Sequence, residues 1–206
     1  MTVTISRLYD NHTQAQSAVQ RLESAGVPHS DISIVANNSD NWFNADKKVD
    51  RDRDGVDDRA EGAGAGAAVG AGLGGTAGLL AGLGLLAIPG LGPVVAAGWL
   101  AATAVGAAAG AASGGIVGAL TQAGVSETDA HTYAEGVRRG GTLVTARVAD
   151  AERARLEAML NESAVNLRDR SAAWQKTGWK SFDPASKPYG ADEVRKERQI
   201  YGGAPR

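Results

Sequence analysis

An alternation of apolar and polar residues opens the chain and predicts a β-α-β unit in residues 1–36. Val3 and Ile5 alternate with polar neighbours, which is the period of a half-buried strand. Four apolar residues then recur at three- and four-residue spacing, the period of an amphipathic helix that Gly26 ends. They are Ala15, Ala18, Val19 and Leu22. The alternation returns in residues 31–36 and predicts the second strand.

A second β-α-β pattern lies near the other end of the chain. Residues 142–148 and 164–167 are predicted strands, and a helix that Asp150 caps runs between them. Before this unit, the segment from Ser126 to Asp129 is a capping-box signature that begins a further helix.

Two β-α-β halves are typical of a ferredoxin-like sandwich, in which four antiparallel strands carry two helices on one face. We therefore predict an α+β fold with a ferredoxin-like β-α-β/β-α-β platform. A long Gly/Ala-rich helical hairpin interrupts this platform between its halves. The alternative is a pair of unrelated short β-α units that associate only in a dimer.

The segment that forms this interruption is uncharged, because residues 62–126 lack Asp, Glu, Lys, Arg and His. Its glycines recur at four-residue steps on both sides of a break at residues 88–93, and Ala102 replaces one of them. Residues four apart share one helix face, so each run predicts a smooth ridge along a helix. The ridge residues are Gly62, Gly66, Gly70, Gly74, Gly78, Gly82, Gly98, Gly106, Gly110, Gly114 and Gly118. We predict two glycine-zipper helices, residues 62–86 and 94–122, joined as a hairpin.

Glycine in a helix carries an energetic cost that something must offset. Each helical glycine costs about 1 kcal/mol relative to alanine, so six of them cost roughly 5–6 kcal/mol in the first helix. Close approach of helix backbones, in a bilayer or in a dry oligomeric core, would compensate. Helices of about 37 and 43 Å would also exceed the roughly 30 Å hydrocarbon core of a membrane. The pattern therefore predicts a homo-oligomer, with the lipid bilayer as a further candidate partner.

These patterns divide the chain into five segments. They are a first β-α-β half (1–45), an acidic linker (46–61), the glycine-zipper hairpin (62–125), a helix with the second half (126–168) and a tail (169–206). The tail is rich in aromatic and basic residues and lacks sustained periodicity. We interpret it as an extended arm that lies on its own domain or on a neighbouring subunit. The alternative is an anchor at a membrane interface, where Trp and Lys are favoured.

The charge distribution and the cysteine content restrict which partners and which covalent links the chain can have. Residues 1–61 carry eleven acidic and seven basic residues, a net −4, whereas residues 168–206 carry five and nine, a net +4. This asymmetry predicts a contact between tail and head, or a weak attraction to an acidic surface. The chain has no cysteine, which excludes a disulfide framework and a thiolate metal site. Its first residues lack the pattern of a signal peptide, so we expect a cytoplasmic protein.

The chain resembles the bacterial general stress protein family, also called heat-induced stress proteins. The resemblance rests on the opening β-α-β unit, on GLLAGLGLLAIPGLGPVVAAG (78–98) and on GVSETDAHTYAEGVRRGGTLVTARV (124–148). It covers roughly residues 1–168, and neither the acidic segment 46–61 nor the tail belongs to the family pattern. The resemblance implies induction under stress and a hydrophobic glycine-rich insert. It implies no catalytic activity and no active-site residues.

One acidic motif suggests a metal. Residues 50–61 fit D-x-D-x-D-G-x5-E, the pattern of a calcium-binding loop, in which alternate carboxylates converge on the ion. The candidate ligands are Asp50, Asp52, Asp54, Asp58 and Glu61. Asp57 occupies a normally apolar position, and the motif occurs once although such loops usually pair. We therefore favour a solvated linker whose acids face the start of the next helix, with calcium as the alternative.

Other motifs carry little chemistry. The G-x-G-x-x-G match at residues 70–75 does not follow a strand, so it is rejected as a dinucleotide site. His12, His29 and His131 are scattered and are interpreted as surface or capping residues. Residues 138–139 are arginines at a helix C-terminus, where cations are favourable; contact with a phosphate or a lipid headgroup is the alternative. No nucleic-acid-binding face, small-molecule site or resident cofactor is expected.

These observations together predict a non-enzymatic stress-response protein. It would act by glycine-zipper-driven homo-oligomerisation at or in the cytoplasmic membrane, on its inner face. The alternative is a soluble self-assembling protein in which hairpins from several copies form a shared hydrophobic core. An enzyme is not expected, because no acid/base or nucleophile constellation is visible.

Overall fold

A five-stranded antiparallel sheet organises the chain, and its order is β1-β5-β2-β4-β3. The structure is a computed structural model that describes residues 1–43, 84–103 and 115–201. The strands are β1 (Thr2–Tyr9), β2 (Ile32–Asn37), β3 (Gly84–Ile88), β4 (Gly92–Gly98) and β5 (Thr142–Ala149). β1 and β2 both pair antiparallel with β5, so they run parallel to each other on its two sides.

In addition to a helical segment at residues 99–103, six helices surround the sheet in the described ranges. They are α1 (His12–Ser24), α2 (Gly115–Gln122), α3 (Glu127–Arg138), α4 (Arg153–Asn161), α5 (Leu167–Lys176) and α6 (Ala191–Tyr201). Short 3-10 turns precede β2 and α4 at His29–Asp31 and Asp150–Glu152. The chain is therefore an α+β protein. The predicted helix start at Ser126 is confirmed, because the Ser126 hydroxyl accepts from the Asp129 amide at the start of α3.

Hydrophobic cores lie on both faces of the sheet. On the first face, Val144 and Ile34 pack with apolar residues of α1 and α4. On the second face, Leu143 and Val35 pack with α2, α3 and the C-terminal segment. Successive strand residues point to opposite faces, which explains why every residue of β2 is buried. The predicted pair of helices on one face is present, but the other face is covered as well.

The predicted strand at residues 164–167 is wrong, and the four-stranded ferredoxin-like order is therefore not found. Of residues 164–167, Val165 bonds to the outer side of β1, where its amide donates to the Leu8 carbonyl over 2.8 Å. The next residue begins α5, because the Asn166 side chain accepts from the Arg168 and Asp169 amides. A four-residue apolar alternation was too short to separate a strand from the approach to a helix cap.

The predicted helical hairpin is wrong for residues 84–98, which form the β3–β4 hairpin. β4 pairs with β2 and buries Val94 and Val95 completely, so the strand form satisfies backbone and side chains together. Positive φ at Gly90 and Gly92 shapes the turn. Residues 99–103 and α2 are helical, as predicted, whereas residues 62–83 and 104–114 lie outside the described ranges.

The tail, defined from here on as residues 167–201, is not an extended arm. It forms α5 and α6 and packs on its own domain, with Trp174, Phe182 and Val194 buried. The predicted contact between tail and head is confirmed by two ion pairs, Arg170 with Asp10 and Arg198 with Asp40. Among the helices that the structure describes, none has the length and apolarity needed to cross a membrane.

Candidate functional site

Most of the site residues predicted from the sequence lie outside the described part of the chain, and two of them, Gly98 and Gly118, lie within it. The acidic motif Asp50, Asp52, Asp54, Asp58 and Glu61 lies outside the described residues, as do Gly62, Gly66, Gly70, Gly74, Gly78, Gly82, Gly106, Gly110 and Gly114. Gly118 lies on α2 and is half-buried. Within residues 1–43, 84–103 and 115–201, no three His, Asp or Glu side chains are grouped so that they could hold a metal.

Gly98 is the described ridge residue whose role must be corrected. It ends strand β4 instead of lying on a helix ridge, and its φ is +88°. A Cβ at this position would lie 2.3 Å from the Ile32 carbonyl oxygen. Gly98 therefore permits close approach of β4 to the start of β2 within one chain, where a side chain would collide.

A buried charged cluster at the end of α3 is the strongest candidate site. The Glu135 side chain is only 1% exposed. Its carboxylate accepts from Arg138 Nε (2.8 Å), Arg138 Nη2 (2.7 Å) and Arg139 Nε (2.5 Å). Glu135 precedes the arginines by three and four residues, so all three side chains lie on one helix face.

The tail completes this cluster from the other side. Arg139 Nη1 donates to Glu197 Oε1 over 2.7 Å, and the same oxygen accepts from Trp174 Nε1 over 3.0 Å. The Arg139 guanidinium carbon also lies 4.9 Å from the centre of the Trp174 ring. Arg138 lies 4.4 Å from the centre of the Tyr189 ring and donates to the Lys187 carbonyl. We call Glu135, Arg138, Arg139, Glu197 and Trp174 the tail clasp.

The electrostatics of the tail clasp favour a structural role. Two carboxylates balance two guanidinium groups. Burial lowers the pKa of Arg139, but its bonds to Glu197 and Glu135 outweigh burial and leave that pKa raised. For Tyr189, burial raises the pKa, although the charges of Arg139 and Arg138 oppose this shift. Neither Arg139 nor Tyr189 is therefore placed to exchange protons at neutral pH.

Two adjacent glycines after α3 leave the space into which α6 packs. Gly140 has a φ of +104°, and a Cβ there would lie 2.5 Å from Cγ1 of Val194. Arg198 donates through Nε and Nη2 to the Gly140 carbonyl, over 3.2 and 3.0 Å. The Gly141 amide bonds back to the Gly136 carbonyl and closes the end of α3. The Arg-Arg-Gly-Gly segment is thus the surface on which the tail docks.

The middle of the tail crosses the β3–β4 turn. A Cβ at Gly90 would lie 2.8 Å from both Phe182 Cζ and Pro184 Cα. A Cβ at Gly92 would lie 2.8 Å from Pro188 Cβ. The two turn glycines therefore combine a positive φ with space for another chain segment, which no larger residue would provide.

Two further features lie away from the tail. An open groove of about 710 Å³ separates α1 from α4, and Arg21 in it contacts Ser163 (3.3 Å) and Glu162 (3.9 Å). The His12 ring packs 4.3 Å from the Trp42 ring, and burial lowers the pKa of His12 to about 4. His12 is therefore neutral at pH 7 and lies partly buried at the start of α1, not simply at the surface.

Sequence reasoning missed most of the tail clasp. It placed Arg138 and Arg139 at a helix C-terminus, which is correct, but attributed them to the helix dipole, with contact to a phosphate or a lipid headgroup as the alternative. The E-x-x-R-R spacing was the signal that could have identified Glu135 as their partner. No local pattern links this segment to Glu197 or Trp174, because those contacts depend on how the tail folds back.

Comparison of the chain with protein-family models, with curated proteins and with solved structures found no match.

Proposed function

We propose that this is a non-enzymatic protein that acts by associating with copies of itself in a stress response. The stress role rests on the resemblance of residues 78–98 and 124–148 to the general stress proteins. The self-association rests on the structure of the sheet edges. Of the two settings considered for the assembly, a shared protein core fits better than a bilayer, because residues 84–98 are already built into the sheet.

The contrast between the two sheet edges carries the proposal. At the β1 edge, the Ser6 carbonyl accepts from the Tyr133 hydroxyl over 2.6 Å and from Arg7 Nη1 over 2.7 Å. The Leu8 carbonyl, two residues along, accepts from the Val165 amide. These bonds occupy two outward carbonyls of β1 that could otherwise pair with another strand.

The β3 edge has no such cover among the described residues, since β3 ends the sheet there. Pro93 lies opposite Ala87, and the Pro93 carbonyl accepts from Asn38 on the β2 side. Because this pair does not exchange bonds, the backbone groups of Ala87, and of Leu85 two residues earlier, point outward. The strand contains no charge and no proline, and Leu85 is 49% exposed.

An edge of this kind favours antiparallel pairing with the same strand of a second copy. Such pairing is isologous, so each β3 would meet the other in register around the two-fold axis. It would extend the sheet across both subunits and cover Leu85. The glycine ridges outside the described residues remain a prediction, and they would add to the same assembly.

Charge on the β3 edge tests this proposal. We expect Leu85→Lys to weaken self-association by about tenfold or more, because pairing would bring the lysines of both copies onto one shared edge, where like charges repel. Size-exclusion chromatography with light scattering over a concentration series measures it. Ile200→Lys is the matched control, since Ile200 is an apolar side chain with 63% exposure on α6.

Equal association of Leu85→Lys and the unchanged chain would contradict pairing through β3. Retention of the protein in carbonate-washed membranes, in place of a soluble oligomer, would favour the bilayer setting.

A further inference from the structure

We propose that the tail is a releasable latch that holds the β3–β4 hairpin in the sheet. When the tail clasp opens, the hairpin becomes free to leave β2. This inference goes beyond self-association and does not depend on it, because it concerns the conformation of a single chain.

Strand β3 is the shortest strand of the described sheet. β3 pairs on one side only in the described structure, and it is five residues long. Glycine begins β3 and both begins and ends β4, and glycine weakens a strand because it has no side chain to pack. A short edge segment of this kind is suited to changing conformation when its tertiary partner is removed.

The tail supplies much of that tertiary partner. Its middle covers the β3–β4 turn through Phe182, Pro184 and Pro188, which lie over Gly90 and Gly92. Phe182 is buried in the same core as Leu91, at the tip of the hairpin. Lifting the tail would expose this apolar turn to water and remove the atoms that pack against it.

The anchors of the tail lie on elements other than the hairpin. At its first end, Arg170 pairs with Asp10. At its second end, Arg198 bonds to the Gly140 carbonyl and to Asp40. The tail is therefore bound to the platform at both of its ends, and its middle crosses the hairpin between these two attachment points.

The clasp is also built so that release leaves few orphaned charges. Glu135 bonds to both Arg138 and Arg139 within α3, so the platform side stays paired when the tail departs. Glu197 lies on the tail and returns to water. Because the arginines keep one carboxylate, release avoids the large cost of a buried unpaired charge.

A reversible covalent lock tests the latch in the full chain, which has no cysteine of its own. Val194 Cβ lies 3.4 Å from the Cβ position at Gly140, close to the Cβ separation of a disulfide. We would combine Gly140→Cys with Val194→Cys and compare the oxidised and reduced forms. Each single cysteine variant controls for the strain of a side chain at Gly140.

Hydrogen–deuterium exchange of residues 84–98 is the readout. We expect the oxidised lock to slow this exchange by about tenfold or more relative to the reduced form. We expect Glu197→Gln to accelerate it together with exchange of residues 182–188, while β1 and β5 stay unchanged. Glu193→Gln is the matched control on α6, since its carboxylate accepts from Gly190 in the first turn.

Equal exchange of residues 84–98 in the oxidised and reduced forms would overturn the latch. So would unchanged exchange in Glu197→Gln, which decides the matter even when the lock does not form. Both measurements are independent of the Leu85→Lys experiment. Equal self-association of Leu85→Lys and the unchanged chain, with retained coupling between tail and hairpin, would contradict the proposed function and leave the latch standing.

Discussion

Replacing Glu135 with glutamine should destabilise the fold strongly although it removes one charge and almost no volume. The carboxylate accepts three bonds from two guanidinium groups and is almost fully buried. Glutamine offers one acceptor oxygen, and its amide group would direct donors at an arginine. The substitution therefore removes at least one hydrogen bond between the carboxylate and a guanidinium group. It also places the glutamine NH2 donor against an arginine N–H donor.

The magnitude follows from these contacts. A hydrogen bond to a charged group contributes about 1.5–3 kcal/mol, and breaking a buried ion pair costs about 3–5 kcal/mol. Arg138 and Arg139 keep slight exposure, and Arg139 keeps Glu197 as a partner, so the upper end is not reached. We expect Glu135→Gln to lower the free energy of unfolding by about 2–4 kcal/mol. For a chain of this size, the melting temperature should fall by roughly 5–15 °C.

Urea unfolding, followed by tryptophan fluorescence, measures the effect, because Trp174 belongs to the clasp. Glu127→Gln is the matched control on α3, since the Glu127 side chain is 82% exposed and its Oε1 lies 4.0 Å from His131 Nε2. That substitution should change stability by no more than about 0.5 kcal/mol. Equal stability of the two variants would show that Glu135 contributes nothing through its burial and would refute the reasoning about the clasp.

Two smaller changes test other parts of the structure. Gly98→Ala should cost about 2–4 kcal/mol in thermal unfolding, because it adds a clash with Ile32 to the strain of positive φ. Gly124→Ala has similar φ but nothing within 4 Å, so it should cost about 1 kcal/mol, and equal losses would exclude the clash. For His12, the folded pKa of about 4 lies below the ordinary 6.5, so its contribution to stability falls as pH drops from 6.5 to 4. Between pH 7 and 5 the free energy of unfolding of the unchanged chain should fall by about 1 kcal/mol more than that of His12→Asn, a value reduced because the ring is partly exposed. Parallel profiles of stability against pH for the two proteins would contradict this expectation.

Local patterns in the sequence determined much of the platform. The alternation in residues 2–9 and 142–148, the helical spacing of α1 and the capping signature at the start of α3 each predicted the observed element. These elements are specified by neighbours along the chain, because a strand or helix must bury one face and satisfy its own ends. The opposite charges of head and tail also predicted their contact, since attraction between segments does not require knowledge of the fold.

Only the tertiary structure decided the conformation of residues 84–98 and the course of the tail. Four-residue glycine spacing predicts a helix, but an open position beside β2 offers β4 a full set of backbone bonds and burial for Val94 and Val95. The pairing partner lies about sixty residues away in sequence, so no local pattern reveals it. The same holds for Glu197 and Arg139, whose contact exists because the chain folds back across the hairpin. Spacing along the chain therefore specified which elements could form, whereas competition for long-range backbone partners and buried surface selected among them.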